Sequence, residues 1–246
     1  MPDVVSHWLG SPCMFRCLPG FPGGRPGLFI SDSIAKAAPR LTHMRHEVRR
    51  GYTISQVTAE LIQRTIRVGG LRVIAIHMGT NNMDARAWVG QMSTEERLQV
   101  IVEEFRTLYR TIRRYNATAF LIFISVLPRK CDWEHTQFLY QDFNNFLCKF
   151  ARQTKSGYLP FWRSFIYKEG PLKGRPRGDY LARNDGGLHL NIPGRHVFGE
   201  RVKAELSVGY IRELVRRAKF SVREASGPVR DEDRGLVGCR YSAASE

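Results

Sequence analysis

No stretch of the sequence approaches the roughly 18 consecutive apolar residues that a membrane-spanning helix requires, so no such helix is expected. Met1 to Gly20 lacks a positively charged start followed by an apolar core, so no secretory signal peptide is read there. Cysteine is sparse: Cys13, Cys17, Cys131, Cys148 and Cys239 form an odd, scattered set. Such a set argues against a disulfide framework and favours reduced thiols in an intracellular compartment, cytosol or nucleus. Acid is also short, with 23 Asp and Glu against 38 Lys and Arg and a formal net charge of +15. That excess draws a protein toward nucleic acid, anionic membrane surfaces or acidic partners, and it says nothing of the fold. The arginines fall in runs such as Arg106, Arg110, Arg113 and Arg114, which read as solvated faces. Cys13-x-x-x-Cys17 and His43-x-x-His46 superficially match a zinc finger, but the interval between the pairs is far too long, so no metal is expected. No internal repeat is visible, and oligomeric state is not legible.

What is present suffices for one sizeable core: 246 residues, 43% hydrophobic and 11% aromatic, fit one α/β domain with short tails better than two domains. Residues 1–27 are punctuated by Pro and Gly and read as a flexible arm. Residues 28–219 carry the domain, and 220–246 form a polar tail of mixed charge expected to be disordered. Within the domain, strands are predicted at Leu28 to Ser33, Glu47 to Arg50, Arg72 to His77, Ala119 to Val126 and Gly157 to Phe161. Helices are predicted after Ser33 (Ile34 to Ala38), from Thr53 to Val68, from a Ser93/Glu96 capping box to Tyr115, from Trp133 to Thr154 behind Asp132, and from Pro193 to Lys219. Phe138, Phe143, Phe146 and Phe150 are expected to face inward from the fourth of these. Loops at 83–92 and 163–184 are left to border a site. Strands alternating with long helical stretches argue a mostly parallel sheet of about five strands, covered by helices on both faces as a three-layer α/β/α sandwich.

Three stretches place chemistry-bearing residues at strand or helix ends, where open α/β sheets hold their sites. Leu28-Phe29-Ile30-Ser31-Asp32-Ser33 delivers a serine from a buried strand. Ile76-His77-Met78-Gly79-Thr80-Asn81-Asn82 ends in an amide-rich turn, and Asn184-Asp185-Gly186-Gly187-Leu188-His189-Leu190-Asn191 brings an acid and a histidine together before a helix. A serine hydroxyl becomes a nucleophile when a neighbouring base takes its proton and a third group holds that base in the right tautomer. Alone, each residue has a plainer role: Ser33 as a helix cap, Asn81 as a turn former, His189 as a hydrogen-bonded core histidine, Gly51 as a tight turn. His77 reads as structural.

In this order the motifs resemble those of the SGNH hydrolases, also called GDSL-like esterases. Ser31-Asp32-Ser33 matches the first block, Gly79-Thr80-Asn81-Asn82 the third, and Asp185 to His189 approximately the last, over about residues 28–217. The wording is most similar to SGNH domains of animal genomes, including some encoded by LINE retrotransposons. The resemblance implies an SGNH/flavodoxin-like fold and a serine esterase or acyl hydrolase that needs no cofactor. It implies Ser33 as nucleophile and His189 as base, with Asp185 or a backbone carbonyl orienting the imidazole. It also implies an oxyanion hole made by the Ser33 and Gly51 N–H groups and the Asn81 amide. Three positions depart from the family pattern. Ser31 stands where the family has glycine, which would cost ~1–2 kcal/mol if that backbone had positive φ. Asp185 lies four residues before His189 instead of three, and Asn82 replaces an aspartate. The alternative expectation is a non-catalytic SGNH-like domain that binds RNA or another polyanion through its basic surface.

Overall fold

The computed structural model describes residues 27–34, 39–84, 92–207 and 209–212. The expected helix over Ile34 to Ala38 falls largely outside these residues, as do the arm before Gly27 and the tail. Five strands form one sheet, β1 (Gly27–Ser31), β2 (Met44–Val48), β3 (Val73–His77), β4 (Phe120–Ile124) and β5 (Gly157–Leu159). Their order is β2-β1-β3-β4-β5, and every pairing is parallel. Connections leave β1 toward β2 on one side, while the chain later returns to β3 on the other, so the order reverses at β1. The crevice at the carboxyl ends of β1 and β3 is therefore where such a sheet has room for a ligand.

Successive strand residues point to opposite faces, and the packing follows that parity. Leu28, Ile30, Ile74, Ile76, Leu121 and Phe123 pack on one face against α1 (Ile54–Ile62), α2 (Thr94–Tyr115) and α3 (Trp133–Gln153). Phe29, Ala75, Ile122 and Ile124 pack on the other with Phe198 and Val202 of α4 (Ile192–Glu205). The result is the three-layer α/β/α sandwich expected from the alternation. Among the described residues no helix is long and apolar enough to cross a membrane.

Several boundaries moved. The second strand begins at Met44, because its register is set by pairing Gly27 with Met44 and Ser31 with Val48; its own sequence, half-buried at most positions, carries little pattern. Helix α1 starts at the expected Thr53 cap, with a full capping box to Gln56, but ends at Ile62 instead of Val68. Arg64 turns the chain at φ +60, and Ile66 and Val68 stay buried outside any helix. Apolar periodicity cannot separate that arrangement from a longer helix. Segment 163–184 is not a bare loop. Ile166 bridges Pro176 in antiparallel fashion, the Gly174 N–H donates to the Tyr167 carbonyl at 2.9 Å, and Arg177 stacks over Tyr180 at 4.0 Å. The helix expected from Pro193 begins at Ile192, capped by Asn191 accepting from the Gly194 N–H, and closes at Glu205; residues 209–212 are helical again, and the rest of the expected span to Lys219 lies outside the described residues.

Helix α3 corrects the phenylalanine stripe. Phe143 is fully buried against Phe105, whereas Phe138 is 64% exposed. A separation of five residues turns a helix through about 500°, so both cannot face the sheet. Phe143→Ala is expected to cost about 3–5 kcal/mol. Phe138→Ala should stay within about 0.5 kcal/mol of the parent. Urea denaturation midpoints compare the two, and equal losses would contradict this packing.

Candidate active site

The turn carrying Ser33, the candidate nucleophile, grows out of β1. Ser31, its last residue, pairs with Val48 on one side and His77 on the other. The Ser31 carbonyl accepts from the Arg49 N–H at 2.8 Å, and the Asp32 N–H donates to the His77 carbonyl at 3.3 Å. Pairing ends there, and Asp32 Oδ1 accepts the Ile34 N–H at 3.0 Å. This short side-chain-to-backbone turn replaces a continuing strand. Ser33 sits inside it, partly exposed between buried Asp32 and Ile34. The anticipated strain at Ser31 is absent: among the described residues only Arg64 and Lys155 have positive φ without being glycine.

Ser31 instead takes part in a buried constellation that the sequence reading missed. Its hydroxyl shares a hydrogen bond with His77 Nδ1 at 3.1 Å, and Asp32 Oδ1 lies 3.8 Å from the same nitrogen. Serine, histidine and aspartate are thus together, but all three are sealed at 1% exposure or less. Burial pushes the His77 imidazole down, with the Asp32 carboxylate only partly offsetting it. A neutral imidazole closed off from solvent beneath the nucleophile turn serves as packing and hydrogen-bonding material, in keeping with a structural His77.

The oxyanion candidates are brought side by side. Gly51 lies just beyond β2 at φ +73, with nothing within 4 Å of where a Cβ would stand. The backbone conformation, and not crowding, is what asks for glycine. Asn81 opens the 3-10 turn Asn81–Met83 beyond β3, and its Nδ2 donates to the Tyr52 carbonyl at 2.9 Å. That bond ties the Asn81 turn to the Gly51 turn and leaves the amide its second N–H. Asn82, at the position where the resembling family has aspartate, does separate work. Its Oδ1 accepts the Ile54 N–H at 3.0 Å, and its Nδ2 donates to Glu104 at 2.6 Å, fixing the start of α1.

The extra residue between acid and histidine is absorbed by two glycines. Gly186 and Gly187 have φ +70 and +87, and a Cβ on Gly187 would come within 2.6 Å of Lys130 Cβ. The chain folds tightly enough for Asp185 to reach. Its Oδ1 accepts the N–H groups of Gly187 at 3.0 Å and Leu188 at 2.9 Å. Its Oδ2 accepts the His189 N–H at 3.2 Å and stands 2.8 Å from His189 Nδ1. Burial pushes the Asp185 carboxyl up, but the His189 ring and the two backbone donors together hold it below its ordinary value. The turn is anchored to the sheet edge by the Lys130 N–H donating to the Gly187 carbonyl at 3.1 Å, and to its own flank by the Leu181–Leu190 bridge. His189 is 47% exposed, the opposite of His77 and of a core histidine.

Ser33, Gly51 and Asn81 therefore share the carboxyl edge of three adjacent strands, and Asp185 with His189 is moored to the loop leaving the fourth. Among the described residues Ser33 and His189 are not joined by a hydrogen bond. Such contacts commonly tighten only when substrate is bound. No cluster of three or more His, Cys, Asp or Glu is arranged for a metal among the described residues. His43 Nε2 donates to the Leu206 carbonyl at 2.8 Å, and His46 Nε2 accepts the Leu41 N–H, so both are engaged in local structure. Parts of the arginine runs are likewise committed: Arg110 pairs with Glu103 at 2.7 Å, and Arg113 donates to the Ala117 and Ala119 carbonyls.

Neither a protein-family model nor a curated protein matches the sequence. Solved structures do match in fold. A protein from Streptococcus pneumonia, provisionally designated a platelet activating factor, is 17% identical with a TM-score of 0.59, over 79% of this chain and 89% of its own. A member of the lipolytic G-D-S-L family from Veillonella parvula is 13% identical with a TM-score of 0.51, over 72% and 94%. An acetylxylan esterase from Geobacillus stearothermophilus is 14% identical with a TM-score of 0.52, over 75% and 95%. Solved forms of that esterase include catalytic mutants with alanine in place of a serine, an aspartate or a histidine. The fold of this chain is the α/β fold of SGNH/GDSL hydrolases.

The Asp185–His189 contact has a direct readout. In His189→Ala the carboxyl loses a donor while its burial persists, so its titration midpoint is expected to rise relative to the parent. Carboxyl carbon NMR titration measures this, and an unchanged midpoint would show that the ring does not bind the acid in solution.

Proposed function

We propose that this protein is a serine esterase or acyl hydrolase acting on carboxylic esters. The observation that carries the reading is the Asp185–His189 pair, held at 2.8 Å on an exposed turn at the same sheet edge as Ser33. Support comes also from a fold shared with esterases and from the serine, aspartate and histidine marked by the catalytic mutants of one of them.

In this mechanism His189, its Nδ1 engaged by Asp185, takes the Ser33 proton at Nε2 as Oγ attacks the ester carbonyl. The tetrahedral oxyanion is met by the Ser33 and Gly51 N–H groups and by the free N–H of the Asn81 amide. The proton then passes from His189 to the departing alkoxide, leaving an acyl group on Ser33. Water, deprotonated by His189, attacks that acyl-enzyme, and collapse of the second tetrahedral intermediate returns the proton to Ser33. The substrates that fit are short acyl, acetyl-sugar or lipid esters, with the choice lying in the 163–184 segment and in the 83–92 stretch, most of which lies outside the described residues. Membership of the animal and LINE-encoded branch of SGNH proteins, and an intracellular setting, form part of the same proposal and rest on motif wording and cysteine usage.

Hydrolysis of a short-chain p-nitrophenyl ester tests it. Ser33→Ala and His189→Ala should each lower kcat by about 10⁶-fold. Asn81→Ala should lower kcat about 10²–10³-fold, the usual consequence of losing one oxyanion donor. Parent activity equal to that of both alanine variants, on short and long acyl chains alike, would overturn the reading.

A further inference from the structure

The β4–α3 loop contains a buried cation that the reaction scheme does not use. Arg129 is 2% exposed, among the largest fully buried side chains of the described residues. Its guanidinium pairs with Asp132 and approaches Asp84 Oδ2 at 3.9 Å. Asp132 is the residue before α3, yet its side chain makes no capping bond to that helix. Asp84 immediately follows the Asn81–Met83 turn, and Arg97 donates to the Met83 carbonyl of that turn at 3.4 Å. The neighbouring Lys130 holds the Gly187 carbonyl through its N–H, and Cys131 Cβ lies 3.6 Å from where a Gly186 side chain would begin. Tyr140 is wholly buried, and burial pushes its hydroxyl up while the Arg129 charge opposes the shift.

We infer that Arg129 is a positioning residue, whose buried ion pairs lock the acid–base turn at Asp185 to His189 in register with the oxyanion turn at Asn81. The inference rests on the esterase reading of those two turns. For stability alone, a buried ion pair is a poor choice, since well-packed apolar residues of similar volume commonly do as well or better. What a planar guanidinium adds is fixed geometry between several acceptors at once. Here the acceptors and their chain neighbours belong to different segments of the site: Asp84 with Asn81, and Asp132 in the same short loop as Lys130 and Cys131, which contact the glycine pair.

The test uses the full chain with Arg129→Gln, Arg129→Lys and the charge-neutral double variant R129Q/D132N. R129Q is expected to lose about 10–100-fold in kcat on the p-nitrophenyl ester with KM changed less than about threefold, as for a misplaced catalytic group. Its Asp185 carboxyl titration should shift upward, because the turn that gathers its hydrogen bonds has loosened. R129K should recover part of both effects. If R129Q does not fold, R129Q/D132N leaves no buried charge unpaired and is read in the same way. A folded variant lacking Arg129 with parental kcat and an unmoved Asp185 midpoint would overturn the inference. Should the parent show no ester hydrolysis, the esterase reading fails by itself, and the Asp185 titration still decides whether Arg129 orders the turn.

Discussion

Everything at the site follows from β1 being sealed on both faces and both edges. Leu28, Phe29 and Ile30 have no solvent exposure, and the strand hydrogen-bonds β2 on one side and β3 on the other. A strand so enclosed offers solvent only its carboxyl end, so any polar chemistry must be carried on the turn that follows. Asp32 makes that turn by accepting the Ile34 N–H, and Ser33 is the first residue to emerge. The same constraint acts on β2 and β3, whose ends deliver Gly51 and Asn81 to either side. The bond from Asn81 to the Tyr52 carbonyl then fastens the flanking turns to each other.

The two Ser/His/Asp groupings show how burial, and not residue type, separates structure from chemistry. Ser31, His77 and Asp32 are within contact of one another and have no route to a substrate. Desolvation favours the neutral ring there, and a hydroxyl fixed to it in the interior is simply a satisfied polar group. Asp185 and His189 have a comparable bond at a partly exposed turn, where the ring is open to solvent. Ser31 also explains its own departure from glycine: it ends a regular strand, needs no positive φ, and uses its hydroxyl to hold His77.

The layers were legible in the sequence because alternation and capping chemistry are local, although β1, β2, β4 and β5 each end two residues earlier than expected. The Ser93/Glu96 box placed its helix almost to the residue. Features set by distant partners were not legible. The start of β2 depends on its pairing with β1, the exit of α1 on Arg64, and the exposure of Phe138 on which face of α3 meets the sheet. Within the site, the residue types and the places where they emerge were readable. Whether Asp185 could span the additional residue was not, since this depended on Gly186 and Gly187 both taking positive φ with Lys130 packed against them.

Charge was the least transferable signal. The arginine runs read in sequence as solvated faces, and Arg106 and Arg110 are largely exposed there, whereas Arg129 and Arg97, outside those runs, are buried, Arg97 beside the Met83 carbonyl. Arg49 is held between Glu47 and Glu60, and Arg113 is occupied by backbone carbonyls beyond its own helix. Arg129 and Arg97 act inside the fold, while Arg49 and Arg113 are only half-buried. A net charge counts them equally with solvent-facing lysines. The physical content of the composition therefore lies less in its sum than in which cations meet acids and carbonyls at the ends of the strands.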